Sequence, residues 1–286
     1  MSSIVYLNGE YLPIEEAKIS VLDRGFTFGD GIYEVIPVYN GHIFRLKEHI
    51  ERLNNSLDEI FMHKPYQMDK WEKILHELLD KNSEKYPAED QSIYMQVTRG
   101  VSERDLAIDI ATEQTVFAMT RPLPKKDRSA GISAIVEEDI RWKYCHIKAI
   151  TLLPSIVLRN KAKQSGATEA LLIRDGNVTE GAASNVFIVK NGVVKTPVKD
   201  GSLLAGITRD LVVELLSESG IPCEEVVIKE AELRQADEIW ITSSTWEIVP
   251  VIELDGVPVG TGSPGQVWQQ ACRIYQEFKI GMASAK

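Results

Sequence analysis

Hydrophobic and polar positions alternate along the first residues and then change to helical spacing. The runs IVYL (4–7) and EYLP (10–13) flank Asn8-Gly9, a pair that suits a tight hairpin because both residues tolerate positive φ. YEVIPVYNGHIFRL repeats the device at Asn40-Gly41. Residues 47–61 and 68–83 place apolar side chains at i, i+3, i+4 and i+7, predicting two amphipathic helices. SIYMQVTRG (92–100) and EQTVFAMTRP (113–122) read as strands. ISAIVEEDIRW (132–142) is a strand pattern leading on to Lys148, and Pro154 sits where a first helical turn accepts it, opening a helix that ends at Gly166. Two further hairpins turn at Asp175-Gly176 and Asn191-Gly192. A loop then feeds a helix starting near residues 206–208, whose backbone N–H groups and dipole favour an anion. Strand 223–229, short helix 231–237, strand 238–254, a turn at Asp255-Gly256 and a last helix over 264–278 complete the chain.

Strands and helices come in blocks, not in strict alternation, which predicts an α+β protein of two domains with mostly antiparallel sheets. The stretch RPLPKKDRSAG (121–131) concentrates proline, glycine and charge and is the expected linker between domains at 1–120 and 132–286. With 286 residues, 44% hydrophobic and 26% charged, the chain is globular. Its net charge of −10 disfavours a nucleic-acid partner, so an acidic ligand has to be captured by local cations. The three cysteines, Cys145, Cys223 and Cys272, have neither disulfide-framework nor metal spacing, and a reducing compartment is expected. The N-terminus lacks the pattern of a signal peptide, and no apolar run approaches the roughly 20 residues that span a bilayer. A cytoplasmic protein with no membrane partner is expected.

The five histidines show no ligand spacing, so no metal site is expected, and no serine is flanked as a nucleophile should be. Two other groups carry more chemistry. Lys148 precedes the apolar run AITLLPSIVL, and Glu180 lies where two strand patterns close. Together in a packed core they are costly unless each has a partner; the bland alternative is two solvated surface residues. An aromatic aldehyde cofactor answers that need, the lysine forming a Schiff base and the carboxylate holding a ring nitrogen. DRGFTFGDGIYEV (23–35), with Gly25, Gly29 and Gly31, reads as a tight loop between strands or as a weak phosphate cradle. Ser243-Ser244-Thr245 is either a turn cap or an anion-binding nest, and Arg52 either a solvated cation or one aimed at an anion.

The motifs DRGFTFGDGIYEV, EHIERL (48–53), QVTRG (96–100), DIRWKYCHIK (139–148), VTEGAASNVF (178–187), GITRD (206–210) and ITSSTWEI (241–248) run in one order from end to end. By them the chain resembles the fold-type IV pyridoxal-phosphate aminotransferases, most closely the bacterial D-amino acid group. The resemblance implies a smaller N-terminal α/β sandwich-like domain, a larger C-terminal pseudo-barrel domain and a homodimer. It matches Lys148 to the lysine that links to pyridoxal 5'-phosphate and Glu180 to the acid on the pyridine nitrogen. Arg52, Ile207, Thr208, Ser243 and Ser244 match the phosphate-binding set, and Leu204 the apolar side chain under the ring. Tyr33 matches an active-site tyrosine. Arg104 matches an arginine that binds the substrate carboxylate in the partner subunit's site. The implied reaction is ping-pong transamination between D-amino acids such as D-alanine and 2-oxo acids such as pyruvate or 2-oxoglutarate.

One position departs from the pattern. The D-amino acid enzymes usually carry a histidine two residues after that arginine, and here the residue is Leu106, which donates no hydrogen bond. An (R)-selective amine transaminase, a mixed-specificity relative or a branched-chain L-amino acid aminotransferase therefore stays open as the alternative. Aminodeoxychorismate lyases share the Lys and Glu positions and stand behind these.

Overall fold

The structure, a computed structural model, describes residues 2–87, 90–108, 112–123, 127 and 129–284. The chain forms two compact units, Met1–Lys125 with Ile147–Thr151 and Lys126–His146 with Leu152–Lys286. In the expected linker, residues 124–126 and 128 lie outside the described residues.

The first unit contains β1 (Ile4–Leu7), β2 (Glu10–Pro13), α1 (Arg24–Phe28), β3 (Gly31–Tyr39), β4 (His42–Ile43), α2 (Leu46–Glu59), α3 (Met68–Lys81), β5 (Gln91–Thr98) and β6 (Thr115–Pro122). Its six strands lie in the order β2-β1-β6-β5-β3-β4, every pair antiparallel. Along β5 the buried positions Gln91, Ile93, Met95 and Val97 alternate with half-buried ones, the mark of a sheet covered on one face. Ile50, Leu53 and Leu57 of α2 and Trp71, Ile74, Leu75 and Leu78 of α3 are buried in one cluster with Ile32, Ile36, Ile93, Met95 and Val97 of the sheet. The helical and strand periods seen in the sequence thus meet in one core.

The second unit comprises β7 (Ile132–Glu138), α4 (Leu153–Gln164), β8 (Glu169–Arg174), β9 (Asn177–Gly181), β10 (Asn185–Lys190), β11 (Val193–Pro197), α5 (Ile207–Glu218), β12 (Cys223–Val226), α6 (Glu230–Arg234), β13 (Glu238–Ser243), β14 (Glu247–Leu254), β15 (Val257–Pro258) and α7 (Gln266–Ser284). Its strand order is β12-β11-β10-β13-β14-β7-β8-β9, with β15 on β14. Three pairs, β11·β12, β14·β7 and β7·β8, are parallel, and the rest antiparallel. β9 also touches β10 and β11, so the sheet curls back on itself as the expected pseudo-barrel does.

All five predicted turns form. Asn8, Asn40, Asp175, Asn191 and Asp255, and the glycine after each, have positive φ, as a primed two-residue hairpin turn requires. Three details differ from the sequence reading. Residues 24–28, expected as loop, make a short helix whose first turn is capped by the Asp23 carboxylate at the Gly25 N–H (2.7 Å). The strand pattern leading to Lys148 stops at Glu138, because Asp139 Oδ1 accepts the Arg141 N–H (3.1 Å) and turns the chain out of the ladder. The single strand expected over 238–254 is a hairpin of β13 and β14, broken at residues 244–246 with Glu247 at φ 58°.

Candidate active site

In the first unit, Lys148 is held by its backbone. Its carbonyl accepts the Tyr33 N–H (3.0 Å), its own N–H donates to Ser56 Oγ on α2 (3.2 Å), and Ile150 N–H donates to the Gly31 carbonyl (3.0 Å). Ile147 and Ala149 on either side pack on the core cluster. The chain is pinned and the side chain left to project. Its Nζ lies 4.3 Å from the centroid of the Tyr33 ring, with no ion pair among the described residues.

Tyr33 and Glu34 point to opposite faces of β3, since side chains alternate along a strand. Glu34 shares the core face with Ile32 and Ile36 and is fully buried. Two residues of α2, spaced so as to share one face, meet it. Arg52 donates from Nε and Nη2 to the two carboxylate oxygens (both 2.7 Å), and His49 Nδ1 lies 2.7 Å from Oε2. Burial alone raises a carboxyl's pKa, but Arg52 and His49 outweigh it and hold Glu34 down to about 2. Burial also pushes the His49 imidazole down, against the pull of Glu34. Arg52 is not the solvated cation of the first reading: it is buried and pairs with Glu34.

In the second unit Glu180 is the last residue but one of β9 and buried, and among the described residues its partners belong to this unit. Arg141 Nη1 donates to Oε1; Asn185 Nδ2 (3.1 Å) and the Leu204 N–H (3.2 Å) donate to Oε2. Arg141 is fixed in turn by Asp139, from Nε (2.9 Å) and Nη2 (2.8 Å), and Thr179 Oγ1 donates to the same carboxylate (2.9 Å). Burial pushes the Glu180 carboxyl up, and Arg141 and the Leu204 N–H offset only part of it. Asp139 is held low, its burial outweighed by Arg141 and Thr179.

Asn185 Nδ2 also donates to the Leu204 carbonyl (2.8 Å), tying the loop before α5 to β10. That loop delivers Gly206, the N-cap of α5, and then Ile207 and Thr208, all buried. No side chain caps this helix. A Cβ on Gly206 would stand 1.9 Å from Asn185 Oδ1, so only glycine lets the chain pass. Ser243 ends β13 and Ser244 follows it in the turn, where Ser243 accepts the Trp246 N–H at its carbonyl and its hydroxyl (both 3.3 Å). Beside them Thr242 Oγ1 is buried with no hydrogen-bond partner among the described residues.

This donor set suits the pyridoxal phosphate expected from the sequence. An uncapped, buried helix N-terminus leaves N–H groups for a phosphate. A buried carboxylate whose burial its three donors offset only in part is relieved by a further cationic N–H, such as a protonated ring nitrogen, and it retains a lone pair to accept one. Lys148 and Tyr33 fall in the first unit together with Arg52 and Arg104, and the other predicted site residues in the second. Arg104 stands in an exposed loop with its guanidinium 5.1 Å from the Phe28 ring centroid. Sequence reasoning missed Glu34, His49, Asp139, Arg141 and Asn185. The available signal was the cost of burying Glu180, which calls for a cation, and Arg141 stood in the motif already singled out.

Residues 31–254 match the family model for amino-transferase class IV, and the chain belongs to that family. It is 41% identical over 263 residues to the D-alanine aminotransferase of Bacillus licheniformis, covering 91% of this chain and 92% of that one. Among solved structures it resembles the branched-chain aminotransferase of Thermoproteus uzoniensis with norvaline (TM-score 0.87, 30% identity, 98% and 96% of the two chains). It is also similar in fold to the branched-chain amino acid aminotransferase from Escherichia coli (TM-score 0.84, 28% identity, 97% and 93%).

Proposed function

We propose that this enzyme transfers the amino group of D-amino acids, D-alanine first among them, to 2-oxo acids such as pyruvate or 2-oxoglutarate, using pyridoxal 5'-phosphate in a ping-pong cycle. The observation that carries the substrate class is the 41% identity to a D-alanine aminotransferase over nine-tenths of the chain, against 30% and 28% for the branched-chain enzymes of the same fold. The bound cofactor supplies an electron sink for the charge left when the substrate Cα loses its proton.

The chain's own residues do the rest. Lys148 Nζ would carry the covalent link and, as a free amine, would take the substrate Cα proton and, as the resulting ammonium, deliver it to the carbon that carried the cofactor's aldehyde. Tyr33 offers its ring face to that ammonium. Glu180, steadied by Arg141, Asn185 and Leu204, keeps the ring nitrogen's proton in place. Ile207, Thr208, Ser243 and Ser244 hold the phosphate, Arg52 adds positive charge toward it while fixed by Glu34, and Leu204 supports the ring. Arg104 receives the substrate carboxylate. We further propose a cytoplasmic homodimer, in keeping with the resemblance, and a domain division near 121–131.

A second reading draws on Leu106, an 81% exposed apolar side chain where a histidine is usual. It favours amines lacking a carboxylate. Initial rates on D-alanine, L-leucine and an (R)-arylalkylamine decide between them: D-alanine foremost supports the main reading, the amine the second, and L-leucine refutes both.

A further inference from the structure

The motif at residues 23–30 takes no part in the chemistry just described, yet it is built with unusual care. Asp23 is completely buried: Oδ1 caps α1, while Oδ2 accepts from Thr98 Oγ1 (3.0 Å) and Thr115 Oγ1 (2.6 Å), neighbours on β5 and β6. The helix is thereby fixed to the two strand ends that bracket residues 99–114. Its backbone is joined to the root of that loop as well, by a bridge between Asp23 and Val101 and by the Arg24 N–H to the Gly100 carbonyl (2.8 Å).

Side chains continue the attachment. Arg24 Nη1 donates to the Asp105 carbonyl (2.5 Å), and its Nε pairs with Asp30 (2.7 Å). Asp30 is locked from the other side by Arg99, whose Nη2 also reaches the Ile60 carbonyl (2.7 Å). Phe28 meets two guanidiniums, that of Arg24 at 4.7 Å and that of Arg104 at 5.1 Å from its ring centroid. Asp30 pairs with Arg24 and Arg99 together, so its single charge compensates the two only in part, and the Arg24 that it tethers is one of the two cations on the ring. The other, Arg104, makes no ion pair among the described residues. An exposed arginine of about 2 kcal/mol rotamer entropy is here given a platform and a tethered neighbour, which restricts where its charge points.

We infer that Arg24 and Phe28 are positioning residues for Arg104: they hold the loop at Asp105 and stack the guanidinium so that it is set for a carboxylate before substrate arrives. The inference rests on Arg104 as the carboxylate-binding group. It gives the 23–30 motif a role in substrate affinity in place of a phosphate cradle. Preorganisation of this kind acts on binding more than on turnover.

The test is steady-state kinetics of the holoenzyme with D-alanine for Phe28→Leu, Phe28→Tyr, Arg24→Lys and Arg104→Ala, with thermal unfolding measured beside them. Loss of the ring face in Phe28→Leu is expected to raise KM about two- to fivefold, by more than kcat falls, while Phe28→Tyr restores it. Arg24→Lys, which cannot present the same fork to Asp30 and Asp105, is expected to raise KM in the same sense and carries the test should the leucine variant not fold. If Arg104→Ala raises KM while Phe28→Leu and Arg24→Lys leave it unmoved, or lower kcat alone, the positioning role is wrong and the transaminase reading stands. If Arg104→Ala leaves KM for D-alanine unchanged, Arg104 is not the carboxylate group and the inference falls with it.

Discussion

Replacing Glu34 by glutamine keeps the shape of the side chain and removes the charge that two residues of α2 surround. With a folded-state pKa of about 2 against an ordinary 4.5, the ionised carboxylate contributes about 3 kcal/mol at neutral pH, at 1.36 kcal/mol per unit. Removing one member of a buried pair costs about 3–5 kcal/mol by general experience, because the other charge stays behind without it. Glu34→Gln is therefore expected to lose about 3 kcal/mol. The double variant with Arg52→Met should lose clearly less than the sum of the single changes. The pH dependence carries the same information. A depressed carboxyl stabilises the fold above its unfolded pKa, and that contribution disappears as pH falls from about 4.5 toward about 2. His49, also depressed, takes up its proton more readily in the unfolded chain, so its contribution declines as pH drops below about 6.5. Both slopes run the same way, and the lower one should vanish in Glu34→Gln. Urea titrations of the holoenzyme at fixed protein concentration, followed by tryptophan fluorescence, measure all of this, since Trp71 sits in the same core cluster. A loss under about 1 kcal/mol, strict additivity in the double variant or an unchanged acid limb would refute the reasoning.

Two further outcomes follow from the same geometry. Arg141→Met strips the cation from Glu180 and leaves Asp139 with Arg174 (2.9 Å); it should cost about 3 kcal/mol in denaturant unfolding and weaken pyridoxal phosphate retention on dialysis, and unaltered retention would contradict the role given to Glu180. Gly100→Ala forces a Cβ to 1.8 Å from the Glu113 carbonyl oxygen at φ +93°, so about 3 kcal/mol or more should be lost together with D-alanine affinity, whereas a wild-type melting profile would mean the loop root is placed otherwise.

Much of this was legible in the chain, for identifiable reasons. The hairpins declare themselves because Asn-Gly and Asp-Gly are chemically suited to positive φ. The two helices of the first unit declare themselves because Ile50, Leu53 and Leu57, and Trp71, Ile74, Leu75 and Leu78, recur at the helical period. Lys148 and Glu180 stood out because a charge expected inside a packed core needs a reason; in the structure Glu180 is buried and Lys148 half-buried. What stayed hidden depended on contacts between distant segments. Nothing local tells that Glu34, in phase with Ile32 and Ile36, is met by His49 and Arg52. Helix α1 carries no legible signal because five residues that include Gly25 and stop at Gly29 are too few to show a period. The break at residues 244–246 was masked by apolar runs on either side, and Asp139 ended a strand through a side-chain bond that hydrophobicity does not register.

The most direct measurement is of the link to the lysine on which the site is built. Purified protein incubated with pyridoxal phosphate, reduced with borohydride and digested should yield one phosphopyridoxyl peptide, modified at Lys148. Modification at a different lysine, or a colourless protein with no adduct at all, would contradict the account.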